Sequence, residues 1–330
     1  MHFEPADISM SAPDAPGVIR GMLRFNHPLL TPYAWPVCEI RGRAPGARLC
    51  VSAGVHVNEV SSIEAAIRLQ TIFDPDVMRG SVSIMPLVNL PAEFKYTEYL
   101  CPVDDRNINF SFPGDPNGGF TDVLCDAIQN QWCSGADCYV DMHGGDLREN
   151  VSKFSMYQRT GNAERDAMRR RLANSFDADI VVGFDPSYLS SPGRPPTGFA
   201  RQERIAIMSE AGANGVPDEA SIDYHVNGVL NVARNLGILS DEPETFRRAR
   251  VHCDGYLWVS CPASGLFYPA IEPAARVEKG QHLGQMRDYF GQDLADIVAP
   301  ASGIILWRLT HPAIEVGTPV LAIAVPESAS

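Results

Sequence analysis

Four side chains in this sequence are of the types that hold a metal and move a proton, and each stands where an apolar run ends. In "SAGVHVNEVSSIEAA" a histidine and a glutamate lie three apart, His56 and Glu59. His143 closes the run in "YVDMHGGD", and Glu210 the run in "RIAIMSEAG". A backbone turning from strand into helix lets His56 and Glu59 reach one ion. A nitrogen from His143 then completes three protein ligands and leaves the fourth position of a tetrahedral zinc to water, as in catalytic zinc sites. Zinc brings the pKa of such a water to about 7, making hydroxide available at neutral pH. Glu210 would take the proton and pass it to a leaving group. Each residue also has an ordinary reading. H-x-x-E alone is a weak signal, and both residues could cap a helix. His143 could be a loop histidine and Glu210 a sheet-end carboxylate. Asp141, two before His143 on the same strand face, either orients a ligand or bonds the backbone.

These positions make sense only if strands deliver them to one edge. "GVIRGMLRF" and "WPVCEIRG" have the texture of strands, "APGA" that of a turn, and "RLCVSAGV" that of a buried strand. "EVSSIEAAIRLQTIF" has helical spacing, and "GSVSIMPLVNLPAEF" is a strand that Pro91 should stop. Residues 92–120, rich in Pro, Asn, Asp and Gly, form a long aperiodic stretch of the kind that usually carries function. "FTDVLCDAIQNQWC", "AERDAMRRRLANSF" and "EASIDYHVNGVLNVARNLGIL" are predicted helices. "ADCYVDMHGGD", "ADIVVGF" and "RIAIMSEAG" are predicted strands, the last ending at Glu210. The alternation from about residue 18 to 240 predicts an α/β domain over residues 1–245 with a largely buried sheet. In open α/β sheets, ligands bind at the C-terminal strand edge, where the four residues fall. From residue 246 to 330 the texture changes to short strands separated by Gly and Pro, an all-β unit.

Composition narrows the function. With 40 acidic against 27 basic residues the net charge is −13, which argues against nucleic acid or an anionic membrane as the main partner. The one basic cluster, Arg165 with Arg169–Arg171, reads as the charged outer face of a helix. No apolar run reaches about 18 residues, so no membrane span is expected. The acidic, Pro-rich start lacks the pattern of a signal peptide. Eight cysteines without a C-x-x-C pair suit reduced, buried thiols in a cytoplasmic protein.

Taken in order, "AGVHVNE", "VNLPAEF", "CPVDDRNINFSFPG", "YVDMHGGD" and "SEAGANG", spaced over residues 53–215, resemble the succinylglutamate desuccinylase/aspartoacylase proteins, relatives of the zinc carboxypeptidases. The resemblance implies a carboxypeptidase-like α/β domain with a central mixed, largely parallel sheet flanked by helices. It implies one zinc on His56, Glu59 and His143, Glu210 as acid/base, and hydrolysis of a small N-acylated molecule. A peptide-cleaving carboxypeptidase shares this metal site, and a zinc-binding module without catalysis is the reading from another class. The sequence departs from the family pattern at three positions. Val57 stands for a usual glycine, and Tyr99 and Phe110 stand where the family has arginines that hold a carboxylate or polarise a carbonyl. Asn109 is retained and Arg106 lies nearby, so these two are expected to bind substrate. Pairing of Arg106 with Asp104 or Asp105 is the alternative, with Arg201 and Arg204 next in line. The last segment, with "VEKGQ" and "APASGII", resembles a lipoyl/biotinyl-type barrel. No lysine follows Lys279, so an attached carrier group is not expected, and a lid or a homo-oligomer surface is.

Overall fold

The computed structural model describes residues 15–95, 97–246 and 250–327. The acidic start, residues 1–14, lies outside the described residues.

Two antiparallel strands open the chain, β1 (Gly17–Leu23) and β2 (Trp35–Arg41). Next come β3 (Ala44–Ser52), α1 (Val60–Ile72), β4 (Arg79–Met85) and the long irregular stretch. Helix α2 (Phe120–Ala127) continues as a π turn through Trp132, and β5 (Cys138–His143) follows. The chain goes on through β6 (Glu149–Gln158), α3 (Ala163–Ala173), β7 (Ile180–Phe184), α4 (Pro195–Arg201), β8 (Ala206–Ala213) and α5 (Glu219–Asn235). The strands order as β1-β2-β4-β3-β5-β8-β6-β7. Pairing is parallel from β4 through β3 and β5 to β8, and again between β6 and β7. It is antiparallel at the β1 edge and between β8 and β6.

The parallel run is buried on both faces, as its near-continuous apolar sequences require. One face packs on Ala65, Ala66 and Leu69 of α1, Leu172 of α3 and Val229 of α5. The other packs on Phe120 and Leu124 of α2, Trp132 and Phe199 of α4. Gly228 lets α5 lie against Phe176, because a Cβ there would fall inside the ring.

Residues 251–326 are strand and loop alone: β9 (Val251–Ser260), β10 (Gly265–Pro269), β11 (Arg276–Val277), β12 (His282–Arg287), β13 (Asp293–Val298), β14 (Gly303–Leu309), β15 (Ala313–Ile314) and β16 (Pro319–Pro326). They join the α/β part by backbone hydrogen bonds. β9 runs parallel to β7, β16 pairs with β9 and β14, and β14 returns to β6. Five strands, β6-β7-β9-β16-β14, thus close on themselves. A separate sheet, β13-β12-β10-β15, shares an apolar core with this wall through Phe267, Leu283, Ile305 and Leu321.

Several expectations are corrected. "APGA" is no turn but the first part of β3, irregularly paired with β4 because Gly46 lies against the backbone of Gly80. β4 stops at Met85, before Pro86, which has no N–H to continue the ladder. β8 runs three residues beyond Glu210. Arg169 does not face outward. It is fully buried, donating to Thr160 Oγ1, Asp166 and the carbonyl of Arg204.

Candidate metal centre and active site

β3 ends at Ser52, and residues 53–55 run buried to a turn that presents His56. Gly54 makes this turn possible. It has φ +67°, and a side chain there would press on Pro86 and Leu87. Glu59 occupies the N-cap position of α1, yet its side chain makes no capping bond. Its carboxylate turns instead to the two imidazoles. Oε1 lies 2.6 Å from His56 Nδ1, and Oε2 lies 2.9 Å from His143 Nδ1 and accepts from the Gly144 N–H at 3.0 Å. The capping alternative therefore fails.

The ligand atoms of His56, Glu59 and His143 all lie within 4.8 Å of one another, and all three residues are buried. Both outer ring nitrogens are held. His56 Nε2 meets Asn107 Oδ1 at 3.1 Å, and His143 Nε2 meets Asp141 Oδ2 at 2.9 Å. With a proton on each Nε2, both Nδ1 lone pairs point inward, the tautomer a metal needs. His143 Nδ1 sits at ion-pair distance from Glu59 and makes no hydrogen bond besides. Two inward nitrogens, one of them without a hydrogen-bond donor, and one carboxylate fit three of the four positions of a tetrahedral cation such as zinc. Asp141 is itself fixed, since Ser52 Oγ, 2.5 Å from the Tyr139 hydroxyl, donates to Oδ1 at 2.5 Å.

Glu210 enters from the next strand. In the β5–β8 register His143 stands opposite Glu210. Burial pushes the Glu210 carboxyl up to about 8, the charge of His143 opposing. The side chain keeps some surface on the cavity, and among the described residues no hydrogen bond fixes it. Burial also raises the Glu59 carboxyl, but the charges of His56 and His143 outweigh it and hold Glu59 down at about 2. The site thus contains one permanent carboxylate and one suited to carry a proton.

These groups open on a cavity of about 240 Å³. Its polar end holds His56, Glu59, Glu210, Asn107 and Asn109. Its far wall comes from the last strands, through Tyr256, Trp258, Leu306, Trp307 and Ala322. Asn109 is buried with an unpartnered Oδ1, so its amide is available to a ligand. Asn107 escaped the sequence reading; the only signal was its spacing, two residues before Asn109 in "RNIN". Tyr99 and Phe110 both line the cavity. The Tyr99 hydroxyl donates to Glu149 Oε1 at 2.7 Å, so the side chain is held by a buried carboxylate at the cavity edge. Arg106 is not brought in. It is absent from the lining, and its guanidinium binds Asp122 and, at 3.4 Å, Ser111 Oγ. The partner is Asp122 because Asp104 is engaged by the N–H and hydroxyl of Thr121 at the start of α2. Arg201 and Arg204 bind backbone carbonyls elsewhere.

A profile of the succinylglutamate desuccinylase/aspartoacylase catalytic domain matches residues 45–236, more than half of the 330. The chain belongs to that family. Membership supports a hydrolase role. Among relatives, the N-alpha-acetyl-L-2,4-diaminobutyric acid deacetylase of Halomonas elongata is 25% identical over 333 residues, spanning 97% of this chain and 95% of the relative. The solved succinylglutamate desuccinylase/aspartoacylase of Rhodobacter sphaeroides superposes with a TM-score of 0.83 at 22% identity, over 99% of this chain and 100% of that one. The product-bound ectoine utilization protein EutE of Ruegeria pomeroyi gives 0.82 at 24%, over 94% and 96%. At such identities the superpositions establish the fold of this family member. They extend across the C-terminal strands as well as the profile-matched region. Among the described residues no helix is long and apolar enough to cross a membrane, and all eight cysteines are free and buried.

Proposed function

We propose that the protein is a zinc-dependent deacylase that hydrolyses the amide bond of a small N-acyl amino acid. His56 Nδ1, Glu59 and His143 Nδ1 would hold the ion. Bound there, zinc supplies Lewis acidity and makes hydroxide available near neutral pH. Glu210 takes one proton from the attacking water and delivers it to the departing nitrogen, the second proton of that water follows, and water and amide become a carboxylate and an ammonium. Asp141 and Asn107 hold the two imidazoles in register, and Asn109 offers its side-chain amide to the substrate. The observation that carries this reading is the conjunction at one cavity. Three ligand atoms converge with both outer nitrogens pinned, and an unfixed carboxyl raised by burial stands beside them on the adjoining strand.

A cavity of about 240 Å³ suits a small molecule better than a peptide. The Halomonas relative is named for removing an acetyl group from an amino acid, which makes N-acetyl amino acids the first substrates to try. We read residues 246–330 as a lipoyl/biotinyl-like barrel without an attached group, whose strands wall the cavity, and a cytoplasmic setting accords with eight reduced thiols. The test is amine release from N-acetyl, N-succinyl and N-formyl amino acids by the zinc-loaded protein, with metal counted by elemental analysis. Zinc near one per chain and amine release that Glu210→Gln abolishes are expected. No release above the Glu210→Gln background for any of the three acyl classes would refute the deacylase reading.

A further inference from the structure

The far wall of the cavity is one row of side chains laid across four strands. Trp258 of β9 stands opposite Ala322 of β16, Ala322 opposite Trp307 of β14, and Trp307 opposite Val151 of β6. All four line the cavity. Strand β16 separates the two tryptophans, which puts their backbones about 10 Å apart. Their ring centroids are only 5.2 Å apart, at an interplanar angle of 90°. The indoles therefore lean together over Ala322, whose methyl group leaves them the room. Tyr256, two residues before Trp258 on the same face of β9, meets the Trp258 ring edge to face at 5.4 Å. The row also reaches the reacting end. Three residues after Val151, Phe154 stands opposite Glu210 of β8, and both line the cavity.

This row discriminates by hydration. Trp258 leaves 45% of its surface exposed, although it is one of the largest apolar side chains in the molecule. Apolar surface held open to water is unfavourable in proportion to its area, and an apolar group laid on it regains that free energy. A polar group in the same place would exchange its water for ring faces and aliphatic carbon, and would be disfavoured. Charge is kept out of the row. Of the arginines on the cavity, Arg148 is paired with Glu98 at 2.7 Å, and Arg194 lies 4.5 Å over the Phe110 ring. The edge-to-face contacts fix the two indoles and the phenol against one another, so the wall is preformed rather than assembled around a ligand.

We propose that the Trp258–Ala322–Trp307 row is an apolar subsite that takes an aliphatic or aromatic group of the substrate, an inference that rests on the deacylase reading. That group is carried either by the amino acid or by the acyl chain. The test compares ligands that share one carboxylate and one secondary amide: N-acetylglycine, N-acetyl-L-norleucine, its isomer N-hexanoylglycine, and N-acetyl-L-glutamine, whose side chain matches norleucine in length and ends in a polar group. Binding is measured by calorimetry on the whole zinc-loaded protein carrying Glu210→Gln, so that turnover does not intervene. One of the two isomers should bind at least about tenfold tighter than N-acetylglycine and N-acetyl-L-glutamine, the effect of burying about two methylene groups. The preferred isomer identifies which side of the amide carries the group. Adding Trp258→Gln should erase most of that preference, and Trp258→Phe should keep it. The ligand series on the protein with both tryptophans decides the matter if the Trp258→Gln protein fails to fold. Absence of a preference for either isomer, or a preference undiminished by Trp258→Gln, overturns the proposal. Amine release by the parent separates this from the broader reading. No release from any ligand, with the isomer preference intact, would sink the hydrolase and spare the subsite. Release from N-acetylglycine and N-acetyl-L-norleucine at equal kcat/KM, without a binding preference, would do the reverse.

Discussion

Asp141 is the residue on which the metal centre can be tested without touching a ligand. One oxygen holds His143 Nε2 at 2.9 Å and the other accepts from Ser52 at 2.5 Å, and the residue is fully buried. Replacing it with asparagine leaves a way to keep the geometry. The amide oxygen can face His143 while the NH₂ faces Ser52, whose hydroxyl turns to donate to Tyr139. The tautomer then survives, and what is lost is charge. A hydrogen bond to a charged group contributes about 1.5–3 kcal/mol net and a neutral one about 0.5–1.5. The difference, roughly 1–1.5 kcal/mol, weakens zinc binding about 5- to 12-fold. Alanine removes the acceptor altogether, frees His143 to take the wrong tautomer and leaves a buried N–H without a partner. Loss of such an outer contact costs about 10- to 100-fold in metal affinity. The expected order of affinity is parent, then Asp141→Asn, then Asp141→Ala, measured by competition with a chromogenic chelator at fixed pH on samples matched for circular dichroism. Alanine binding zinc within about twofold of the parent, or more tightly than asparagine, would refute the argument that Asp141 orients a ligand.

The other predictions divide the cavity by role. Glu210→Gln should retain one zinc by elemental analysis and lose about 10²- to 10⁴-fold in kcat, the usual contribution of a general acid/base; a variant with half the parent rate would remove Glu210 from the mechanism. Arg106→Ala should leave kcat/KM within about twofold and cost no more than about 1 kcal/mol in urea unfolding, since its ion pair with Asp122 is partly exposed and outside the cavity. Glu149 tests burial through pH. Its carboxyl is raised to about 7, mainly by burial, so the native state holds a proton that the unfolded chain releases near 4.5. The stability this contributes is present below about 4.5 and is lost as pH rises through about 7. Glu149→Gln cannot ionise, so its stability relative to the parent should improve across that window, read from urea midpoints; a constant difference would refute the shift.

That the candidate ligands would share one place was legible in large part because the signal is local. Each of His56, His143 and Glu210 lies at or near the end of a run whose apolar composition announces a buried parallel strand, and parallel strands put such positions on one edge. What the sequence left open at Glu59, cap or candidate ligand, turns on where His143 sits, 84 residues further along the chain. Strand β6 was not legible. "ENVSKFSMYQ" neither alternates nor runs apolar, yet nearly every residue is buried. Its polar groups are satisfied by distant partners, Ser152 by Leu306, Ser155 by Ala173 and Gln158 by Phe184 and Asp185. Periodicity reads which residues avoid water, and it fails where tertiary carbonyls replace water as the acceptor. Arg169 was misread for the same reason.

Of the two residues expected at the substrate end, Asn109 lines the cavity and Arg106 does not. Sequence proximity to Asn109 recommended Arg106, but neighbours in a loop need not face one cavity, and the local acid Asp122 holds Arg106 away from this one. The arginine that does reach the Phe110 ring comes from residue 194, through a bridge between Phe112 and Gly193 that no pattern in either segment announces. The apolar wall opposite is assembled the same way, since Trp307 faces the cavity only because β14 pairs with Val151 of β6. The two ends of the cavity therefore depend on different parts of the fold. The candidate metal end is set by residues that lie within the matched range 45–236, whereas the wall is set largely by strands beyond it.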